Sequence, residues 1–323
     1  MAIDAHADGP TVIRLQDHER DTGQLTPRHM FDAVTAWHRD GCVVLANAIE
    51  TSIIDTLNER MTPDTEILKS NPDKIHWNQG RAAGNVSQNP PFERKYMFPQ
   101  IYANRPAAAV MTNIFGPRPQ LRYIRTNTLV GDTAGRQVVH KDCQFEHEFA
   151  PFHMALNIPL VDVSPQNGST ELWLGTSRLA EWSDLDITRP ELGIRTEKLD
   201  ERRKIRPPCY PEIKRGSLVL RDIRLWHAGM PNHTSETRVM LAFGYQAAWH
   251  GNDLRTVLPE SLRDVVEGLE AHNNTEICGT FVPDDEYDNL YSEFQIDFSS
   301  AIKPERGSKK YNAERSITQN GDY

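Results

Sequence analysis

The chain has 323 residues, 38% hydrophobic and 25% charged, a globular composition that excludes collagen-like and low-complexity classes. Its 36 Lys and Arg against 45 Asp and Glu leave a net charge of −9, which argues against nucleic acid or an anionic membrane as partner. It contains no apolar run of about 18 residues that could span a bilayer, no apolar leader core near Met1, and no CxxC among Cys42, Cys143, Cys209 and Cys278, so the expectation is a reduced, cytoplasmic protein without a zinc ribbon or disulfide framework.

Residues 1–22 are polar and aperiodic and read as a flexible arm. Thr26-Pro27 then forms an N-cap followed by proline at the first helical position, with Phe31, Val34, Trp37 and His38 at helical spacing and Gly41 as the stop. The run at 42–49 is a short strand, and Thr51 or Ser52 caps a second helix with Ile53, Ile54, Leu57 and Met61 on its apolar face. Residues 62–100 are crowded with Asn, Gly, Pro and Gln and read as a lid over an active site, with Asn78 and Asn85 as candidate contacts. Trp77, Tyr96, Phe98 and Trp226 are candidates either for pocket lining or for core.

Beyond a short helix near 105–114 the pattern turns to strands at 121–130, 154–163, 217–222 and 238–247. Met154, Leu156, Ile158 and Leu160 alternate in one of these, and Val239, Leu241, Phe243 and Tyr245 in another. Short strands separated by Gly, Pro and Asn turns predict a sandwich, jelly roll or barrel. Residues 178–215 read as a charged insertion and 300–323 as a flexible tail, which leaves 23–299 as one domain.

Two histidines stand out. His140 and Asp142 are two residues apart, so on a strand both side chains face one side. His227 follows the strand at 217–222, and two imidazoles with one carboxylate form the facial triad that leaves iron(II) three open positions. Arg238 lies eleven residues after His227. It starts the next antiparallel strand and returns to the same end of the barrel, where a guanidinium can clamp a carboxylate through two parallel hydrogen bonds. His147, His153 and His233 lie close in sequence but read as strand or turn histidines with solvent partners.

These residues resemble a known family. The run GSLVLRDIRLWHAGMPNHTSETRVML, with HKD upstream and NGSTELWLGTS between, is similar to the phytanoyl-CoA dioxygenase family of Fe(II)/2-oxoglutarate-dependent oxygenases, over roughly 120–247 and less closely over 26–61. The resemblance implies a mainly β fold with flanking helices, a double-stranded β-helix of jelly-roll or cupin-like type. It implies His140, Asp142 and His227 as iron ligands, Arg238 as the partner of the distal 2-oxoglutarate carboxylate, and Gln137 close to that cosubstrate. Thr170 is implied as a further cosubstrate contact, with Ser169 equally placed by spacing. The cofactors expected are Fe(II), 2-oxoglutarate and O2.

The reaction expected is oxidation of a small organic molecule, a secondary metabolite of moderate apolarity, coupled to decarboxylation of 2-oxoglutarate to succinate and CO2. Hydroxylation, desaturation and rearrangement stay open, as does a homodimer. Halogenases of the wider superfamily carry a small residue where Asp142 stands, which disfavours halogenation here. A non-catalytic barrel that binds a small molecule and an oxygenase acting on peptides or proteins are the alternatives.

Overall fold

The computed structural model describes residues 9–143, 150–179, 182–186, 188, 193–252 and 254–291. Strand β1 (Thr11–Arg14) pairs in parallel with β2 (Cys42–Ala46), and α1 (Asp17–Thr22) follows β1 directly. The described part of the expected arm is therefore largely structured. The polar stretch holds just enough pattern for this, since Ile13 and Leu15, two residues apart, are both buried. The buried Glu19 carboxylate fixes the next turn by accepting from the backbone N–H of Gln16 and of Thr26, at 2.9 and 2.7 Å, and by pairing with His29 at 2.9 Å. Burial alone would raise the Glu19 carboxyl, but those donors override it and hold it down at about 2.

Helix α2 (Pro27–Asp40) is capped by the Thr26 hydroxyl, which accepts from His29 N–H at 3.2 Å, and ends at Gly41 with φ +74°. It buries Ala33, Ala36 and Trp37, whereas Phe31, expected on the apolar face, is 66% exposed. Helix α3 (Thr51–Lys69) runs eight residues past Met61 and carries Pro63 inside it. Its buried stripe Ile54, Leu57, Met61 continues through Thr65 to Leu68, and that burial outweighs a break worth about 3 kcal/mol. The segment expected to be irregular thus begins as helix. It continues as β3 (His76–Trp77) and β4 (Asn85–Ser87), and ends at α4 (Pro99–Tyr102), which leads to α5 (Arg105–Phe115).

The large sheet is built from β5 (Gln120–Thr126), β7 (His153–Pro159), β9 (Leu218–Asp222) and β11 (Met240–Gln246), with β6 (Thr128–Leu129), β8 (Glu171–Leu172) and β10 (His227–Ala228) lying outside it. Its order is β1-β2-β9-β7-β11-β5-β12, where β12 is Glu276–Ile277, and every pairing from β2 to β5 is antiparallel. Alternation gives it two different faces. Leu156, Ile158, Leu218, Leu220, Leu241 and Tyr245 share one buried cluster with Trp37, Leu57 and Val110 of the helices. Tyr123, Ala155, Asn157, Arg221, Ala242 and Gly244 instead line a cavity.

Across that cavity lie shorter pieces: the β8–β10 pair, the β3-β4-β6 sheet, and single bridges that join His140 to His227 and Val163 to Ile213. The result is the expected mainly β jelly roll with helices flanking one face. In the charged insertion the described residues include α6 (Thr196–Ile205), which buries no residue. The tail at 300–323 lies outside the described residues. Among the described residues no helix is long and apolar enough to cross a membrane, and the four cysteines are buried.

Candidate metal centre

Residues 137–142 run antiparallel to 223–229. His140 and His227 exchange both backbone hydrogen bonds at 2.9 Å, Gln137 N–H donates to Gly229 O at 2.9 Å, and Asp142 N–H donates to Ile223 O at 2.9 Å. This register sets His140 and Asp142 on one side, two residues apart, directly opposite His227. The imidazoles stand 4.3 Å apart between centroids.

Each ring is oriented by its own backbone. His140 Nδ1 lies 2.9 Å from Val138 O, and His227 Nδ1 lies 2.9 Å from Leu225 O. Donation from both Nδ1 atoms leaves both Nε2 lone pairs facing inward. Asp142 Oδ1 is 3.7 Å from Nε2 of His140 and 3.4 Å from Nε2 of His227. One ligand atom from each of the three residues fits within 4.8 Å of the others. Burial, followed by the neighbouring His227, pushes the His140 imidazole down to about 3. For Asp142 burial acts upward, but the Arg221 guanidinium and the two imidazoles override it and hold the carboxyl well below its usual range. A neutral His140 and an ionised Asp142 are the protonation states that a divalent metal needs.

Arg238 meets the same cavity from β11's entry, where it exchanges backbone bonds of 2.9 and 2.8 Å with Leu129. Its side chain is 3% exposed and pairs with no carboxylate among the described residues. Nε has no partner among the described residues, and Nη1 has a 3.5 Å contact with Met240 Sδ. Burial pushes this guanidinium down to about 10. A buried cation held this way is costly unless an anion completes it.

Gln137 and Thr170 also line the cavity. Gln137 Oε1 accepts from Gly229 N–H at 2.7 Å, so this side chain clamps the strand that carries His227. Thr170 is separated from its neighbour by geometry, because the buried Ser169 hydroxyl donates outside the cavity to Pro211 O at 2.5 Å. The cavity measures about 340 Å³ and takes His76, Asn78, Gln79 and Asn85 from the segment read as a lid. Asn78 Nδ2 donates to Asn127 Oδ1 at 3.1 Å, tying that segment to the residue between β5 and β6.

The aromatic candidates are elsewhere. Trp77 is tied to Pro72 O at 3.1 Å, Tyr96 and Phe98 pack on the main core, and Trp226 joins Trp173 in a second cluster. His153 is buried and lines the cavity instead of meeting solvent, and burial pushes it down to about 3. His233 is exposed, and His147 lies outside the described residues. Sequence reasoning missed Arg221, although a lone cation in the apolar strand LVLRD was a signal that could have found it.

A jelly roll with two imidazoles, one carboxylate and an unneutralised arginine facing one cavity has the architecture of a metal-dependent enzyme. The family model described as phytanoyl-CoA dioxygenase (PhyH) matches residues 37–240, and the chain belongs to that family. Among solved structures, the chain is similar to EctD from S. alaskensis, with 2-oxoglutarate and 5-hydroxyectoine, at 17% identity over 74% of this chain and 81% of that one, with a TM-score of 0.52. It is also similar to SnoK, a non-heme alpha ketoglutarate dependent carbocyclase from nogalamycin biosynthesis, at 14% identity over 70% and 85% of the two chains, TM-score 0.50. The epimerase SnoN from the same biosynthesis matches at 16% identity over 69% and 82%, TM-score 0.50. At these identities the likeness shows the jelly-roll fold.

Proposed function

We propose that the protein is an Fe(II)/2-oxoglutarate-dependent oxygenase that oxidises a small organic molecule and releases succinate and CO2. The observation that carries this reading is the convergence of His140, Asp142 and His227 in one cavity with a buried, unneutralised Arg238. The three ligands would hold iron through two Nε2 atoms and Asp142 Oδ1. Arg238 would take the distal carboxylate of 2-oxoglutarate, with Thr170 beside it, while Gln137 keeps the His227 strand in register.

Iron with 2-oxoglutarate and O2 supplies the oxidising power, and the protein supplies the arrangement. The backbone carbonyls of Val138 and Leu225 fix both rings, so neither imidazole must rotate when a metal arrives. Arg238 would neutralise one cosubstrate charge at a guanidinium that is itself buried, where that interaction is stronger than in open water.

The cavity lining bears on the substrate. Asn78, Gln79, Asn85, Asn127 and Asn157 place five carboxamide side chains around it, beside the apolar Ile223 and Met240. This favours a substrate that forms hydrogen bonds over the moderately apolar one expected from sequence. The carboxylate at Asp142 favours hydroxylation, desaturation or rearrangement over halogenation. A barrel that only binds a small molecule would have no need for Nε2 of two histidines and Asp142 Oδ1 converging at metal-ligand distances, which disfavours that alternative. The test is reconstitution with Fe(II), ascorbate and 2-oxoglutarate. Succinate should form with the native protein and not with His140→Ala, and equal yields from both would refute the proposal.

A further inference from the structure

The cavity holds a second arginine beside the metal centre. Arg221 sits on the third strand of the large sheet, opposite Cys42 of β2 and Ala155 of β7, and is 5% exposed. Its neighbours Leu218 and Leu220 point into the apolar core, so alternation turns Arg221 toward the cavity. There Nη2 donates to Asp142 Oδ2 at 2.7 Å, and Nη1 lies 3.2 Å from His227 Nδ1. Since His227 Nδ1 is turned to Leu225 O, the second contact is one of proximity, and the hydrogen bond to Asp142 is the directed one.

The two carboxylate oxygens of Asp142 are therefore used differently. Oδ2 is taken by the guanidinium, while Oδ1 faces Nε2 of both histidines. A carboxylate free at both oxygens could chelate a metal through both and occupy one of the positions that a bidentate 2-oxo acid and O2 require. Asp142 has a backbone tether as well, its N–H donating to Ile223 O at 2.9 Å, but that bond leaves rotation about the side-chain torsions free.

We propose that Arg221 is a positioning residue that restrains Asp142 to one-oxygen ligation and so keeps the adjacent coordination position open for 2-oxoglutarate. This rests on the reading of His140, Asp142 and His227 as an iron site. Arg221 does not touch the reacting atoms in this role. It acts through the carboxylate that it orients, in the way outer hydrogen bonds fix metal ligands.

The experiment uses anaerobic native protein, Arg221→Met and Arg221→Lys, each loaded with Fe(II) and titrated with 2-oxoglutarate while the visible charge-transfer band of the complex is followed. Thermal melting of the metal-free proteins reports whether each variant folds. Methionine keeps the bulk but removes the donor and the charge, so the 2-oxoglutarate Kd is expected to rise about tenfold or more with a shifted band. Lysine restores a charged donor and is expected to hold Kd within about threefold of native, a recovery that a packing role would not give. A native-like band and Kd in folded Arg221→Met, or no recovery in Arg221→Lys, overturns the inference.

Should Arg221→Met fail to fold, the metal-loaded structure of the native protein decides. One Asp142 oxygen on the metal with Arg221 on the other supports the inference, and two oxygens on the metal overturn it. Native protein that shows no band at all refutes the iron and 2-oxoglutarate reading itself, which separates the two failures.

Discussion

Arg238→Met should make the ligand-free protein more stable and the enzyme worse, a combination that follows from one observation. Burial lowers this guanidinium from its usual 12.5 to about 10, a displacement equivalent to about 3 kcal/mol against the charged form in the fold. The sign is clear: a cation whose folded pKa is depressed lowers stability at every pH below that value, so the cost is fully present at neutral pH. Methionine removes the charge at similar bulk, and the change of shape returns about 1 kcal/mol of that gain as lost packing. A net gain of about 1–2 kcal/mol remains, and each kcal/mol raises Tm by about 2–4 °C for a domain of this size. The same substitution removes a desolvated, charge-assisted clamp worth about 2–4 kcal/mol, so the 2-oxoglutarate Kd should rise about 30- to 1000-fold. Differential scanning fluorimetry with and without 2-oxoglutarate reads both effects. A Tm that falls in the absence of ligand, together with an undiminished upward shift on adding 2-oxoglutarate, would refute the argument.

Three more outcomes are expected. Thr170→Val should raise the 2-oxoglutarate KM about five- to tenfold with unchanged Tm, whereas Ser169→Ala should leave KM alone and cost about 1 kcal/mol for the lost bond to Pro211 O, as steady-state kinetics and urea titration can separate. Gly229→Ala would bring a Cβ within 2.7 Å of Gln137 Oε1 and displace the clamp on the His227 strand; Fe(II) affinity measured by competition with a chelator should fall severalfold, and native affinity would contradict the clamping role. Glu19→Gln should cost about 2–3 kcal/mol at pH 7, because the native carboxyl is held at about 2 against a usual 4.5. The contribution of that depressed carboxylate is present above pH 4.5 and lost as pH falls toward 2, so denaturant titrations of the two proteins should converge in acid.

The strands of the large sheet were legible because alternation has a period of two and each strand buries one face, as with Leu156 and Ile158 or Leu241 and Tyr245. The convergence of the candidate metal ligands was legible for a related reason: His140 and Asp142 needed only strand geometry to meet, and His227 and Arg238 needed one turn. What failed depended on partners distant in sequence. Four residues at 11–14 become β1 because β2 offers an edge to pair with, and no local pattern announces that. The stretch at 62–100 held too little alternation to reveal β3 and β4, while the buried stripe that carries α3 past Pro63 matters only because a core lies beneath it. Trp77 and Trp226 could not be assigned to pocket or core from residue type, since the same aromatic ring suits either surroundings. Arg221 carried a usable signal, a charge on the inward side of a buried strand, whose partner Asp142 lies 79 residues away.

The proposed chemistry requires that His140, Asp142 and His227 grip one ferrous ion. Anomalous diffraction at the iron edge, from crystals grown anaerobically with Fe(II), addresses this most directly. A single peak within bonding distance of His140 Nε2, His227 Nε2 and Asp142 Oδ1 is the result expected. Iron bound elsewhere, or a peak that any of the three fails to reach, would contradict it.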